Sequence, residues 1–344
     1  MGREFDKIKQ YIMNKYFYMV MSTMLLSCCG QKSATNSVDA GGTIAATTNS
    51  IVVPTFDADS AYLYVATQVA FGPRVPNTEA HKACASYLAS ELERHGAMVY
   101  VQDAVLTAYN GDKLNAKNII GSYSPEEKRR ILLFAHWDSR PYADWDEDEA
   151  NHRKPIDGAD DGGSGVGVLL EIARQIGKSA PKAGIDIIFF DAEDYGTPEF
   201  IKDNHKPDTW ALGTQFWAKN PHVPNYTAQY GILLDMVGAK GATFYKEGFS
   251  MQYAARYVEK VWSTARKLGY GKYFINNKIG YLTDDHQYVI EGRRIPCIDI
   301  INYKPNTSKG FADYWHTIND NMDVIDRQTL KAVGHTVLEV IYND

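Results

Sequence analysis

Cysteine is scarce in this chain, with four among 344 residues. Cys28 and Cys29 are adjacent near the front, which leaves only Cys84 and Cys297 in the body. Cys84 sits in a helical pattern and Cys297 in the apolar strand "IPCIDII". Both read as buried free thiols, and no pair has the spacing of a thiolate metal site. Positive charge is not in excess either: 36 Lys and Arg face 42 Asp and Glu, and the net charge of −6 argues against a nucleic-acid partner. No repeat of fixed period and no low-complexity linker interrupts residues 55–344, so one large domain is expected there. A phosphate loop is missing as well: "GADDGGSGVG" is glycine-rich but lacks the spacing and the Lys-Ser/Thr pair of that motif. Apolar residues make up 44% of the chain, enough to build a sizeable core.

The front of the chain reads as a targeting segment. Lys7, Lys9 and Lys15 precede "YFYMVMSTMLLS", an apolar run too short to span a bilayer as a finished helix. It runs into "LLSCCG", where Leu25, Ser27 and Cys28 resemble a bacterial lipobox, whose cysteine is lipidated after cleavage. Met13 is a candidate for the true start. The expectation is an exported, periplasmic protein held to a membrane only by a lipid on Cys28. Residues 29–54, small and polar, form a flexible tether to a single catalytic domain at 55–344.

Within the domain, strands and helices alternate. Asn77 can cap a helix running to about His95, with Gly96 as its stop. The runs "AMVYVQ", "AKNIIGSY", "RRILLFAHWDS", "IDIIFFDAEDYG", "YGILLDMVGA" and "RIPCIDIIN" read as strands. "GVGVLLEIARQIG", "LGTQFWAKN", residues 250–268 and "DRQTLKAVGHTVLEVIYN" read as helices. Trp262, Tyr253 and Tyr257, at helical spacing, read as packing residues. The central strands are apolar on both faces, which predicts an α/β fold: a mixed, mostly parallel sheet with helices on both sides. The acidic run "DWDEDE" at 144–149 has the residue types of a calcium site, but such a run is more often a solvated loop, and it is read as one.

Polar residues recur where these strands end. His136 and Asp138 follow "ILLFA", Asp160 and Asp161 open a helix, and Glu193 and Asp194 follow "DIIFF". Asp235 follows "GILL"; Asp284, Asp285 and His286 lie in "YLTDDHQYV", and His316 in "YWHTIND". If the strands are neighbours, these groups converge on one edge of the sheet, where α/β proteins bind ligands. Carboxylates and imidazoles without thiolates suit a catalytic zinc with three protein ligands and one open position. Taken alone, each has a structural alternative: a satisfied interior histidine, a helix cap, a hydrogen bonder at a strand end.

The blocks "AHWDS", "GADDGGSGVGVLLEIAR", "IIFFDAEDYG", "LLDMVGA", "DDH" and "WHTINDN" together resemble the zinc-dependent M28 peptidase superfamily, and within it the glutaminyl cyclases, over residues 55–344. The resemblance implies one zinc per chain held by Asp161, Asp194 and His316. It implies Glu193 as the proton-transferring acid, Asp235 and Asp284 as acids near the substrate's amide and amine, and Trp315, Phe311 and Trp210 as apolar walls. The second ligand, a glutamate in the animal cyclases, is the shorter Asp194 here. Asp160 is the rival to Asp161, its alternative role being a helix cap. Asp138 would orient the imidazole of His136. The substrates implied are peptides or proteins with N-terminal glutamine, handled by a monomer.

A second reading uses the same residue types. Two-zinc aminopeptidases of the superfamily need a histidine, a bridging aspartate, an acid, a further aspartate and a final histidine. His136, Asp161, Asp194, Asp235 and His316 supply them. Peptide hydrolysis must generate a nucleophile from water, which two metals do well. Cyclisation of N-terminal glutamine needs no water, because the substrate's α-amine attacks its own γ-carbonyl. Trp315 beside His316, with Phe311 near, and the extra acid Asp284 favour cyclisation.

Overall fold

The computed structural model describes residues 52–203 and 208–344. The targeting segment, the lipobox and nearly all of the tether lie outside the described residues. Among the described residues no helix is long and apolar enough to cross a membrane.

The described residues begin with α1 (Ala58–Ala70) and α2 (Glu79–Arg94), then the antiparallel pair β1 (Met98–Thr107) and β2 (Lys113–Tyr123). β3 (Arg130–His136), α3 (Gly163–Ile176), β4 (Gly184–Phe190), α4 (Leu212–Lys219) and β5 (Tyr230–Asp235) follow. β6 (Phe244–Lys246), α5 (Gly248–Lys267), β7 (Phe274–Lys278), α6 (Asp285–Arg293), β8 (Cys297–Ile301) and α7 (Arg327–Tyr342) complete the fold. Six strands form one sheet in the order β1-β2-β4-β3-β5-β8. The pairs β3–β4, β3–β5 and β5–β8 are parallel, and β2–β4 is antiparallel.

Strand periodicity explains the layering. Ile185, Ile187 and Phe189 of β4 join the core shared with α1, α2, α3, α5 and α7. Ile188 and Phe190, pointing the other way, join the core shared with α4 and α6. All seven residues of β4 are buried, which is why the strand is apolar at every position but Asp186. β3 leads through α3 to β4 on one side of it. The chain then crosses through α4, on the opposite face, to β5 on the other side of β3. That reversal opens a crevice beyond the C-terminal ends of β3, β4 and β5.

Some local expectations change. Thr78, not Asn77, caps α2: its side chain accepts from His81 N, while Asn77 adopts φ 76° and bonds to Lys113 and Asn115. Gly96, at φ 88°, does follow the helix end. Trp262 and Tyr257 are buried, but Tyr253 is 48% exposed, on the solvent side of α5. Cys84 and Cys297 are buried free thiols.

Candidate active site

The crevice collects side chains from five segments. β3 delivers His136 and, two residues on, Asp138. The turn before α3 delivers Asp161. The turn after β4 delivers Glu193 and Asp194, β5 ends in Asp235, and the loop after β8 carries His316. All are buried. The turns are tight: Ala192 (φ 53°), Met236 (φ 49°) and His316 (φ 53°) are non-glycine residues in the left-handed region, strain that clusters at functional sites. Gly162 at φ 58° is needed for a different reason. A Cβ there would lie 2.7 Å from the His136 ring, so only glycine lets α3 start against that imidazole.

Two sets of three donors result, and Asp161 belongs to both. Asp161, Asp194 and His316 form one, with His316 Nε2 3.4 Å from Asp161 Oδ2 and 3.2 Å from Asp194 Oδ1. His136, Asp161 and Asp235 form the other, with His136 Nε2 3.0 Å from Asp161 Oδ1 and 3.2 Å from Asp235 Oδ1. Asp194 Oδ2 is buried without a hydrogen-bond partner among the described residues. Leaving such an oxygen unpaired is costly, and a cation beside it removes the cost. The donor chemistry, carboxylates and imidazole nitrogen in a buried cluster, therefore fits zinc at Asp161, Asp194 and His316.

Asp138 does more than face an imidazole. Its two oxygens accept from the backbone N–H groups of Glu193 and Asp194, both at 3.1 Å, so it holds the turn that carries both acids. Its Oδ1 also lies 3.4 Å from His136 Nδ1. Asp160 is in neither donor set and does not cap the helix. α3 has no side-chain cap, and the Asp160 carboxylate accepts from Gly238 N at 2.7 Å and Tyr314 Oη at 2.6 Å. Asp320, which sequence reasoning missed, accepts from the amides of Asp160 and Asp161 at 2.8 and 3.1 Å.

A pocket of about 250 Å³ opens over this cluster, lined by Trp210, Tyr281, Leu282, Phe311 and Trp315 above Glu193, Asp235 and Asp284. Trp315 stacks on His316 with ring centroids 3.7 Å apart, and Phe311 meets Trp315 at 4.6 Å. Of the "DDH" triplet only Asp284 lines the pocket. Asp285 accepts from Thr214 Oγ1 at 2.5 Å, and His286 pairs with Glu247 at 2.9 Å behind the wall. Burial pushes the Glu193 carboxyl well above the usual carboxylate range. The neighbouring acids Asp284, Asp285 and Asp194 add to this against the pull of His136. Burial raises Asp284 in the same way, with Asp235 and Asp285 beside it. Asp161 is different: burial would raise it, but the His136 and His316 rings outweigh that and hold it low.

The acidic run is only partly solvated. Asp144 is buried against Arg140, whose Nε and Nη2 donate to its two oxygens at 2.6 Å each. Asp146 shapes its own loop, accepting from Asp148 N and Asn151 Nδ2. An acidic cluster just after a strand that ends in a candidate ligand was the available signal, but it did not say which acid turns inward.

Known proteins resemble this chain in sequence and fold. A crystal structure of a Zn-dependent exopeptidase from Parabacteroides distasonis is 73% identical, covers 85% of this chain and all of its own, and superposes with a TM-score of 0.84. The crystal structure of Tannerella forsythia glutaminyl cyclase is 75% identical over 85% of this chain and 100% of its own, with a TM-score of 0.83. The glutaminyl-peptide cyclotransferase of Bos taurus is 27% identical over 259 residues, 65% of this chain and 66% of the bovine protein, so the match spans just under two thirds of that relative. The description of peptidase family M28 matches residues 118–341, from the middle of β2 to the end of α7, and with the zinc-type donor cluster at the sheet's edge it places this chain in peptidase family M28.

Proposed function

We propose that the protein is a glutaminyl-peptide cyclotransferase that converts the N-terminal glutamine of peptides or proteins to pyroglutamate, releasing ammonia, with one zinc per chain. The observation that carries the reading is the pocket itself. It is small and aromatic-walled, and it sets Glu193, Asp235 and Asp284 around the Asp161, Asp194 and His316 donors. Support comes from the Tannerella forsythia cyclase, which shares three quarters of its residues with this chain over the matched region.

Zinc held by Asp161, Asp194 and His316 supplies a Lewis acid for the substrate's γ-carbonyl. The protein's own residues do the rest. Trp315, Phe311 and Trp210 exclude water and hold the glutamine side chain folded toward its own amine. Asp284 and Asp235 accept hydrogen bonds from the substrate's amine and amide N–H groups. The α-amine forms a bond to the side-chain carbonyl carbon, Cδ, and Glu193 takes a proton from that nitrogen. Glu193 then gives the proton to the departing nitrogen as the original C–N bond breaks and ammonia leaves. A carboxyl raised by burial suits both halves of this shuttle.

The second reading, a two-zinc aminopeptidase, is favoured by one observation: the His136, Asp161 and Asp235 triad adjoining the first. Assaying glutaminyl and leucyl chromogenic substrates side by side separates the two. Turnover of the leucyl substrate alone overturns the proposal. The same proposal includes export to the periplasm and a lipid on Cys28; Cys28→Ser then abolishes labelling by a radioactive fatty acid, and persistent labelling rules the anchor out.

A further inference from the structure

The segment that follows β3 holds a buried ion pair with no part in the chemistry described above. We propose that Arg140 and Asp144 act together as a positioning pair that presets Asp194 and His316 for zinc. The inference rests on the ligand set Asp161, Asp194 and His316 and not on which reaction the site performs.

Arg140 is 1% exposed and reaches in two directions. Its Nε and Nη2 form a fork on the Asp144 carboxylate, 2.6 Å on each side. Its Nη1 donates to the Asp194 carbonyl at 3.1 Å and to Asp194 Oδ1 at 3.3 Å. An aspartate has only two side-chain torsions, so its backbone largely sets where its carboxylate stands. Arg140 holds both backbone and side chain, and Oδ2 is the Asp194 oxygen left without a partner among the described residues.

Asp144 acts on the other ligand. Its Oδ1 lies 3.6 Å from His316 Nδ1, and that nitrogen has no hydrogen-bond partner among the described residues. At that separation the carboxylate favours the tautomer with the proton on Nδ1. Nε2, which faces Asp161 and Asp194, is then free to bind a cation. The same segment grips the histidine's loop on both sides: Trp145 N donates to His316 O at 3.1 Å, and Asp146 Oδ2 accepts from Ile318 N at 3.1 Å. His316 sits at φ 53°, a conformation non-glycine residues avoid, so its loop has to be held.

Stability alone does not account for such a pair, because desolvation of two buried charges offsets much of their attraction. Geometry does, since a guanidinium fork fixes a carboxylate in a way an ammonium cannot.

The test follows zinc transfer from loaded protein to a chromophoric chelator in the wild type, Asp144→Asn, Arg140→Lys and the double variant. The unfolding midpoint of each zinc-free protein is measured alongside. Each single variant should lose zinc roughly 10–100-fold faster, in line with the effect of outer partners on metal affinity. The double variant should be no worse than the poorer single one, because the two residues act as a unit. Wild-type dissociation in both singles, or effects that multiply in the double, overturns the proposal. Failure of both singles to fold overturns it too, since the pair would then be a folding element. His316→Ala serves as the control: if it keeps its zinc, the ligand set itself is wrong, which is a separate failure.

Discussion

Asp194 and His316 stand on separate loops, yet Asp194 Oδ1 lies 3.2 Å from His316 Nε2. Asp161 approaches the same ring nitrogen at 3.4 Å from another side. One imidazole nitrogen bracketed by two buried carboxylates is a place for a cation.

Zinc is expected to be essential and single. A heterocyclic chelator should abolish activity and added zinc restore it, and metal analysis should return one zinc per chain. His316→Ala should remove both metal and turnover. Two tightly held zincs, with Asp235→Asn reducing the count to one, would move the assignment to the aminopeptidase reading.

Adjacent acids divide the work. Glu193→Gln keeps the side chain's shape but cannot carry a proton, so it should bind zinc normally while kcat falls by roughly 10²–10⁴-fold. Asp194→Asn should lose zinc. Near-normal turnover in Glu193→Gln, or the opposite pattern of metal loss, excludes this division.

Trp315→Ala should raise KM for a glutaminyl substrate while zinc content holds, because Asp161, Asp194 and His316 all remain. Aromatic packing of this kind is worth about 0.5–1.5 kcal/mol beyond area burial, or roughly two- to tenfold in KM. An unchanged KM would put the substrate elsewhere.

Behind the pocket, Glu247 ties the start of α5 to His286. Burial alone would raise its carboxyl, but the His286 ring 2.9 Å away and the amides of Ser250 and Phe249 outweigh it and bring it down to about 2. A carboxyl depressed on folding adds stability that is complete above its unfolded pKa near 4.5 and is lost as the pH falls toward 2, at most about 3 kcal/mol. Zinc-free Glu247→Gln should therefore unfold at lower urea than zinc-free wild type at pH 7, and the gap should narrow steadily below pH 5. A gap that is constant from pH 7 to pH 3 would refute the ionic contribution.

Much of the fold follows from local sequence pattern. β4 is apolar at every position but Asp186 because both its faces are covered, and α2 stops at Gly96 because only glycine relaxes easily at φ 88°. The acids after β4 and β5 could be placed at a sheet edge for the same reason: a strand's end is a local event. What the tertiary structure alone decided is direction. Asp160 and Asp161 are neighbours, yet Asp160 turns to Gly238 and Tyr314 while Asp161 turns to two imidazoles. Asp284 lines the pocket while Asp285 and His286 face inward to Thr214 and Glu247. Asp144 leaves its acidic run to meet Arg140. Which way a loop side chain points depends on backbone angles fixed by distant partners, such as Asp320 holding the Asp160 and Asp161 amides and Asp138 holding those of Glu193 and Asp194. Those partners meet only after the strands have paired, so no pattern of neighbouring residues along the chain encodes them.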